Sequence, residues 1–223
     1  MPVFNKTNSK SGVIYNTGNI TTLKNAADCA ACVDAGFVID SSGSLYWNGQ
    51  DGYGDEKTFM KQLATSLGLS TSGVQAGVVQ FSAYAKLEIP FSHNVTDFTS
   101  RVDAMVSIKS TTRIDLGLDK AWTELFQPGK GRPFGECSKV VILMTDGANN
   151  KGYDLAQRNP AKRFHDAGIK VVVIGMTSHV NRSELLTLVE PDSNYHWAKD
   201  FATLVKPDFM NSVVNCEKLE RKL

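Results

Sequence analysis

The chain has 223 residues, 42% of them hydrophobic and 21% charged, and its 24 basic and 23 acidic side chains leave a formal net charge of +1. That length holds one large α/β domain with a full core and is short for two ordinary ones. The near balance of charge excludes bulk attraction to nucleic acid or an anionic membrane, so partner choice has to come from a local site. No apolar stretch approaches the roughly 20 residues that span a bilayer, and MPVFNKTNSK lacks the apolar centre of a signal peptide. Cys29, Cys32, Cys137 and Cys216 form an even set, and N-x-S/T sequons occur at Asn5, Asn19, Asn94 and Asn181. Together they point to a secreted glycoprotein with disulfides. Cys29-Ala-Ala-Cys32 has the spacing of half a zinc site, but no second such pair and no neighbouring His pair completes it.

In chain order, residues 1–31 are rich in Asn, Thr, Ser and Gly. They form either a flexible lead or a hairpin of Val13 to Tyr15 with Ile20 to Leu23. From Cys32 the pattern alternates. Apolar runs predict strands at Ala35 to Ile39, Val74 to Phe81, Ala85 to Ile89, Lys139 to Met144, Lys170 to Ile174 and, more weakly, Tyr195 to Ala198. Amphipathic stretches predict helices at Glu56 to Leu67, Val95 to Val106, Ile114 to Phe126, Asp154 to Ala167, Arg182 to Val189 and Phe201 to Cys216. This alternation implies a doubly wound, Rossmann-like α/β fold, a mostly parallel six-stranded sheet with helices on both faces. The gap Ser82-Ala83-Tyr84 is too short for a crossover and predicts one antiparallel edge strand. Residues 217–223 are left as a tail.

Ligands bind such sheets beyond the carboxyl ends of the strands, where the strand order reverses. Two strands end there in oxygen-bearing side chains. FVIDSSGSLYW carries Asp40, Ser41, Ser42 and Ser44, and VVILMTDGANN carries Asp146. Either aspartate alone reads as a helix cap or a turn. Their co-occurrence, with Ser110-Thr111-Thr112-Arg113-Ile114-Asp115 ahead of a helix, favours a metal site.

These three segments, in this order, resemble the von Willebrand factor type A domain, and the resemblance covers Cys32 to Cys216. Its mark is the metal-ion-dependent adhesion site, whose D-x-S-x-S motif falls on Asp40, Ser42 and Ser44, its threonine on Thr112 and its second acid on Asp146. Thr112 is preferred to Thr111 because the family often reads T-R-T-D there. An oxygen-only set without His or Cys is hard and suits Mg²⁺ or Mn²⁺. In the family the serines, and often the threonine, bind the ion directly while aspartates act through water. The open position takes a carboxylate from a partner. The link Leu45 to Gly54 is longer and richer in glycine than usual, and it offers Tyr46, Trp47 and Tyr53 as partner contacts, or as core residues. The family often joins a cysteine before the first strand to one after the last helix, which implies Cys29–Cys216 with Cys32–Cys137.

The resemblance implies a secreted matrix or adhesion module, of the type found in matrilins, collagen VI and mussel byssal thread matrix proteins, that binds an extracellular protein through the cation. Collagen is the leading partner class. The alternative is a structural matrix module that binds through metal-independent surfaces. An enzyme is not expected. A dehalogenase-type phosphotransferase needs an acid where Ser42 stands, a hydrolase elbow needs glycine two residues before its serine, and no phosphate-binding glycine loop is present. His93, His165, His179 and His196 form no cluster in sequence, and Lys130-Gly131-Arg132 reads as a solvated loop.

Overall fold

An unbroken apolar run must be covered on both faces, and the first strand, β1 (Val33–Asp40), is buried at all 8 positions. It lies between β2 (Val74–Phe81) and β4 (Ser138–Thr145), both parallel to it. β3 (Ala85–Ser92) returns antiparallel to β2, and β5 (Lys170–Met176) and β6 (Tyr195–Ala198) extend the other side in parallel. The order is β3-β2-β1-β4-β5-β6, the mostly parallel sheet with one antiparallel edge that the alternation implied. Pro90, with no amide proton to give a ladder, sits in the edge strand β3. This computed structural model describes residues 32–150 and 159–213. The N-terminal hairpin, the tail, Cys29, Cys216, Asn5 and Asn19 lie outside them.

Helices cover both faces. Phe37 and Ile39 of β1 pack beneath α1 (Gly52–Leu67), α2 (Val95–Ala104), α6 (Phe201–Leu204) and α7 (Pro207–Val213). Val38 and the alternate residues of β4 and β5 pack beneath α3 (Ile114–Glu124), α4 (Lys162–Asp166) and α5 (Arg182–Leu186). The segment carrying Thr112 leads into α3, whose approach to the sheet is set by glycine. A Cβ on Gly117 would stand 2.6 Å from Phe81, and one on Gly36 would stand 2.7 Å from the Phe126 ring.

Several helix boundaries differ from expectation for local reasons. α1 starts at Gly52 because Asp51 caps it, its carboxylate accepting the Gly54 amide at 3.0 Å. The single terminal helix expected from Phe201 onward is two, since Pro207 disfavours helical backbone in the residue before it and begins a new helix. Of the helix expected from Asp154 to Ala167, only the part from residue 159 lies among the described residues, and there α4 spans Lys162–Asp166.

At the end of the sheet where β1 and β4 begin, Asp34 is fully buried and surrounded by donors. Lys139 Nζ lies at 2.5 Å, Arg132 Nη1 at 3.1 Å, the Arg132 amide at 3.0 Å and Gln75 Nε2 at 2.7 Å. Arg132 also reaches the carbonyls of Ser70 and Thr71. It is therefore an anchor for the segment before β4, and not the solvated residue that the sequence suggested. Beside it Cys32 and Cys137 form a disulfide. Asp34→Ala should lower the unfolding free energy by about 3–5 kcal/mol, because it leaves two cations without their counter-charge. Gln75→Ala removes one neutral donor and should cost about 1 kcal/mol. Urea unfolding of both variants checks the difference; equal losses would refute an ion-paired cluster.

Candidate metal centre

β1 and β4 end side by side, with Ile39 opposite Met144, so Asp40 and Asp146 emerge at the same edge where the strand order reverses. The chain after β1 turns at once. The Ser42 amide donates to Asp40 Oδ1 at 2.8 Å, and Thr145 Oγ1 donates to Asp40 Oδ2 at 2.6 Å, which fixes both oxygens of this carboxylate. A 3₁₀ turn over Gly43–Gly49 then holds Ser44 at the surface, buries Leu45 in the core and kinks at Asn48, where φ is +56°. Ser42 Oγ and Ser44 Oγ lie 3.0 Å apart, and Ser44 Oγ donates to Asp146 Oδ1 at 2.8 Å. Four of the five expected ligand residues thus form one connected set.

The fifth, Thr112, is brought in by its neighbours. Its amide donates to Asn150 Oδ1 at 3.0 Å and its carbonyl accepts the Asn150 amide at 3.1 Å. The Thr112 hydroxyl lies 3.6 Å from where a Cβ on Gly147 would stand, and so borders the turn that carries Asp146. The Thr111 carbonyl accepts the Ser82 hydroxyl at 2.8 Å. Ser41 faces away, donating its hydroxyl to the Phe81 carbonyl at 2.9 Å, while its own carbonyl accepts from the Lys109 amide at 2.7 Å. The three segments are tied to one another largely through backbone groups.

The electrostatics fit a cation. Asp40 is fully buried, and burial, then the charge of Asp146, pushes its carboxyl up to about 7 against the bonds from Thr145 and Ser42. Burial also raises Asp146, opposed by its bond from Ser44 and by nearby His179. Among the described residues no Lys or Arg is ion-paired with either acid, and no three His, Cys, Asp or Glu side chains converge on a common metal position. Two carboxylates with hydroxyls, and no nitrogen or sulfur, are the donors a hard divalent cation takes.

The aromatic residues of the link separate. Trp47 is 69% exposed beside the centre, whereas Tyr53 is only 4% exposed and donates its hydroxyl to Gln80 Oε1 at 2.8 Å. Tyr53 is thus a core residue, which corrects its expected place on the partner surface. Tyr46 is half-buried under the Lys109 ammonium, 4.1 Å from the ring centroid. Asn94 and Asn181 are exposed and cap α2 and α5. Thr145 and Asn150, which orient Asp40 and Thr112, were not singled out in the sequence, because a residue that holds a ligand carries no motif of its own. His179, given no role there, stands near enough to Asp146 to lower its pKa.

The mostly parallel sheet, with its oxygen-rich loops at the switch point, places the chain in a known class of α/β domains. The chain belongs to the von Willebrand factor type A domain family, whose model matches residues 34–209. It is similar to collagen alpha-6(VI) chain of Homo sapiens, 33% identical over 146 residues, 64% of this chain and 6% of that protein. It is also similar to matrilin-1 of Gallus gallus, 26% identical over 198 residues, 87% of this chain and 38% of that protein. Among solved structures, proximal thread matrix protein 1 from the mussel byssus superposes with a TM-score of 0.77 at 26% identity, covering 85% of this chain and 49% of that one. A further structure of that protein has a zinc-occupied adhesion motif and superposes with a TM-score of 0.74 at 28% identity, over 83% of this chain and 46% of that one. The chain therefore spans less than half of each of these relatives. It is an extracellular-matrix type of the family, acting outside the cell, and no helix among the described residues is long and apolar enough to cross a membrane.

A carboxyl whose folded pKa lies above its unfolded value holds protons that the unfolded chain has released, so folded stability falls as pH rises between the two. The metal-free protein should therefore lose stability from about pH 4 to about pH 7, the interval set by Asp40. Divalent cation should restore it at the upper end. Thermal unfolding in EDTA and in Mn²⁺ across this range measures both effects; a metal-free stability that rises steadily with pH would contradict the assigned environment of Asp40.

Proposed function

We infer that this domain binds an extracellular protein partner through one divalent cation, Mg²⁺ or Mn²⁺, held by Asp40, Ser42, Ser44, Thr112 and Asp146. The connected Asp40–Ser42–Ser44–Asp146 set at the switch point, with no Lys or Arg among the described residues ion-paired to its acids, is the observation that carries this reading. The bound ion supplies an electrophilic position for an anionic oxygen from outside. The serine and threonine hydroxyls are neutral, so among the five ligand residues only the two aspartates carry negative charge, and a partner Glu or Asp completes the set. Collagen is the first partner class to test, given collagen VI and matrilin-1 among the relatives. The domain is taken to run from Cys32 to Cys216, with Cys29–Cys216 as the second bridge and glycans on the exposed Asn94 and Asn181.

Binding to collagens and matrix proteins should be lost in EDTA, return with Mg²⁺ or Mn²⁺, and be lost in Asp40→Ala. Ser41→Ala should keep binding, since its hydroxyl faces β2, and should lose about 1 kcal/mol of stability with its hydrogen bond. A partner that binds Asp40→Ala as well as the native chain, in EDTA, would show recognition by metal-independent surfaces instead. The exposed Trp47 provides a second discriminant. Trp47→Ala should weaken partner binding by about 1–2 kcal/mol or more with unchanged Mn²⁺ affinity, whereas Tyr53→Phe should change stability and leave partner binding alone. Surface-plasmon titrations beside thermal melts separate the two.

A further inference from the structure

The core-facing stripe of α1 runs through Tyr53, Phe59, Met60, Leu63, Ala64 and Leu67 at helical spacing, and it contains one acid, Glu56. Glu56 is fully buried, and neither of its carboxyl oxygens has a hydrogen-bond partner. The Asp40 backbone lies near enough to act on it. Its helical neighbour Lys57 offers no help, because that ammonium is spent on the carbonyls of Asp103 and Met105. A carboxyl left bare in an apolar stripe is costly, and Met or Leu would fill the position better. Such an exception to the folding pattern is expected where a site uses the group. The charges that Glu56 senses are those of Asp40 and Asp146, the two acids of the metal centre.

Resting on the adhesion-site reading above, we propose that Glu56 is the third acid of the metal centre: it contributes its charge from the α1 side and strengthens the hold of the Asp40–Asp146 pair on a divalent cation. It acts as a positioning charge and not as a ligand, since the three acids do not converge closely enough to share an ion directly. A dication is the counter-charge that all three have in common, because no Lys or Arg among the described residues is ion-paired with any of them. The position thus trades packing in the metal-free state for affinity in the loaded one.

The test uses the full chain with Mn²⁺ alone as the probe, by calorimetric titration, together with thermal melts in EDTA. Glu56→Gln keeps the shape and removes the charge, and Glu56→Met completes the apolar stripe. Both should raise the Mn²⁺ dissociation constant about tenfold or more, the usual effect of losing a group that supports a metal site from behind. The metal-free melting temperature should not fall in Glu56→Gln and should rise in Glu56→Met. A merely structural Glu56 predicts the opposite: lower melting temperatures with unaltered affinity in whatever protein folds. Variants that bind Mn²⁺ within about twofold of the native chain would overturn the proposal while the adhesion-site reading stands. A native chain that binds no Mn²⁺ would overturn both, and the native titration alone distinguishes that outcome.

Discussion

The parallel pairing of β1 with β4 places everything at the metal centre. Val33 stands opposite Ser138 and Ile39 opposite Met144, and because both strands are buried on both faces, a slip by one residue would exchange the packing of every side chain in them. The register therefore fixes the separation of Asp40 and Asp146 as firmly as the core is packed. Beyond that pair the chain leaves β1 toward α1 on one face, while the chain beyond β4 reaches α4 on the other. This divergence opens the crevice in which the hydroxyls of Ser42 and Ser44 join Asp146 and the Thr112 hydroxyl borders the Gly147 turn.

Side chains are only half of the arrangement; the rest is backbone. The Gly43 amide donates to the Ser110 carbonyl at 2.9 Å and the Lys109 amide to the Ser41 carbonyl at 2.7 Å, so the first loop and the Thr112 loop are laced together like strands, although neither is one. Lys109 accepts a left-handed φ of +57° to make that contact. The loop backbone groups are satisfied largely by one another, which leaves the Ser42, Ser44 and Asp146 side chains to bond among themselves. Removing a loop anchor such as Ser82, whose hydroxyl both donates to the Thr111 carbonyl and accepts the Ser110 amide, disturbs Thr112 without touching it.

What was legible in the sequence follows from the same physics. Strand identity and order of the alternating elements were readable because buried parallel strands are continuous apolar runs, and all six appear at or near their expected positions. The candidate ligands were readable because they follow strand ends in a recurring spacing. Less legible were features that depend on a distant partner. Tyr53 and Trp47 lie six residues apart in one glycine-rich stretch, yet a helix cap at Asp51 turns the first into the core and the kink at Asn48 leaves the second outside. Arg132 looks like any loop arginine until β1 places Asp34 beneath it. Glu56 is the hardest case, since amphipathic patterning treats a lone charge in an apolar stripe as an irregularity.

The sheet thus buries acids at both of its ends and treats them in opposite ways. Asp34 at the amino end has Lys139, Arg132 and Gln75 bonded to it from the same chain, so its charge is neutralised and its cluster serves only to lock β1, β4 and the intervening loop. Asp40 and Glu56 at the carboxyl end have no ion-paired Lys or Arg among the described residues; burial raises both carboxyls, helped by the charge of Asp146 on Asp40 and by those of Asp40 and Asp146 on Glu56. One end completes its electrostatics within the fold, and the other leaves them incomplete. Under the cation-binding reading proposed above, an ion from outside completes this preorganised group of oxygens, which would separate the binding end of the molecule from the structural end.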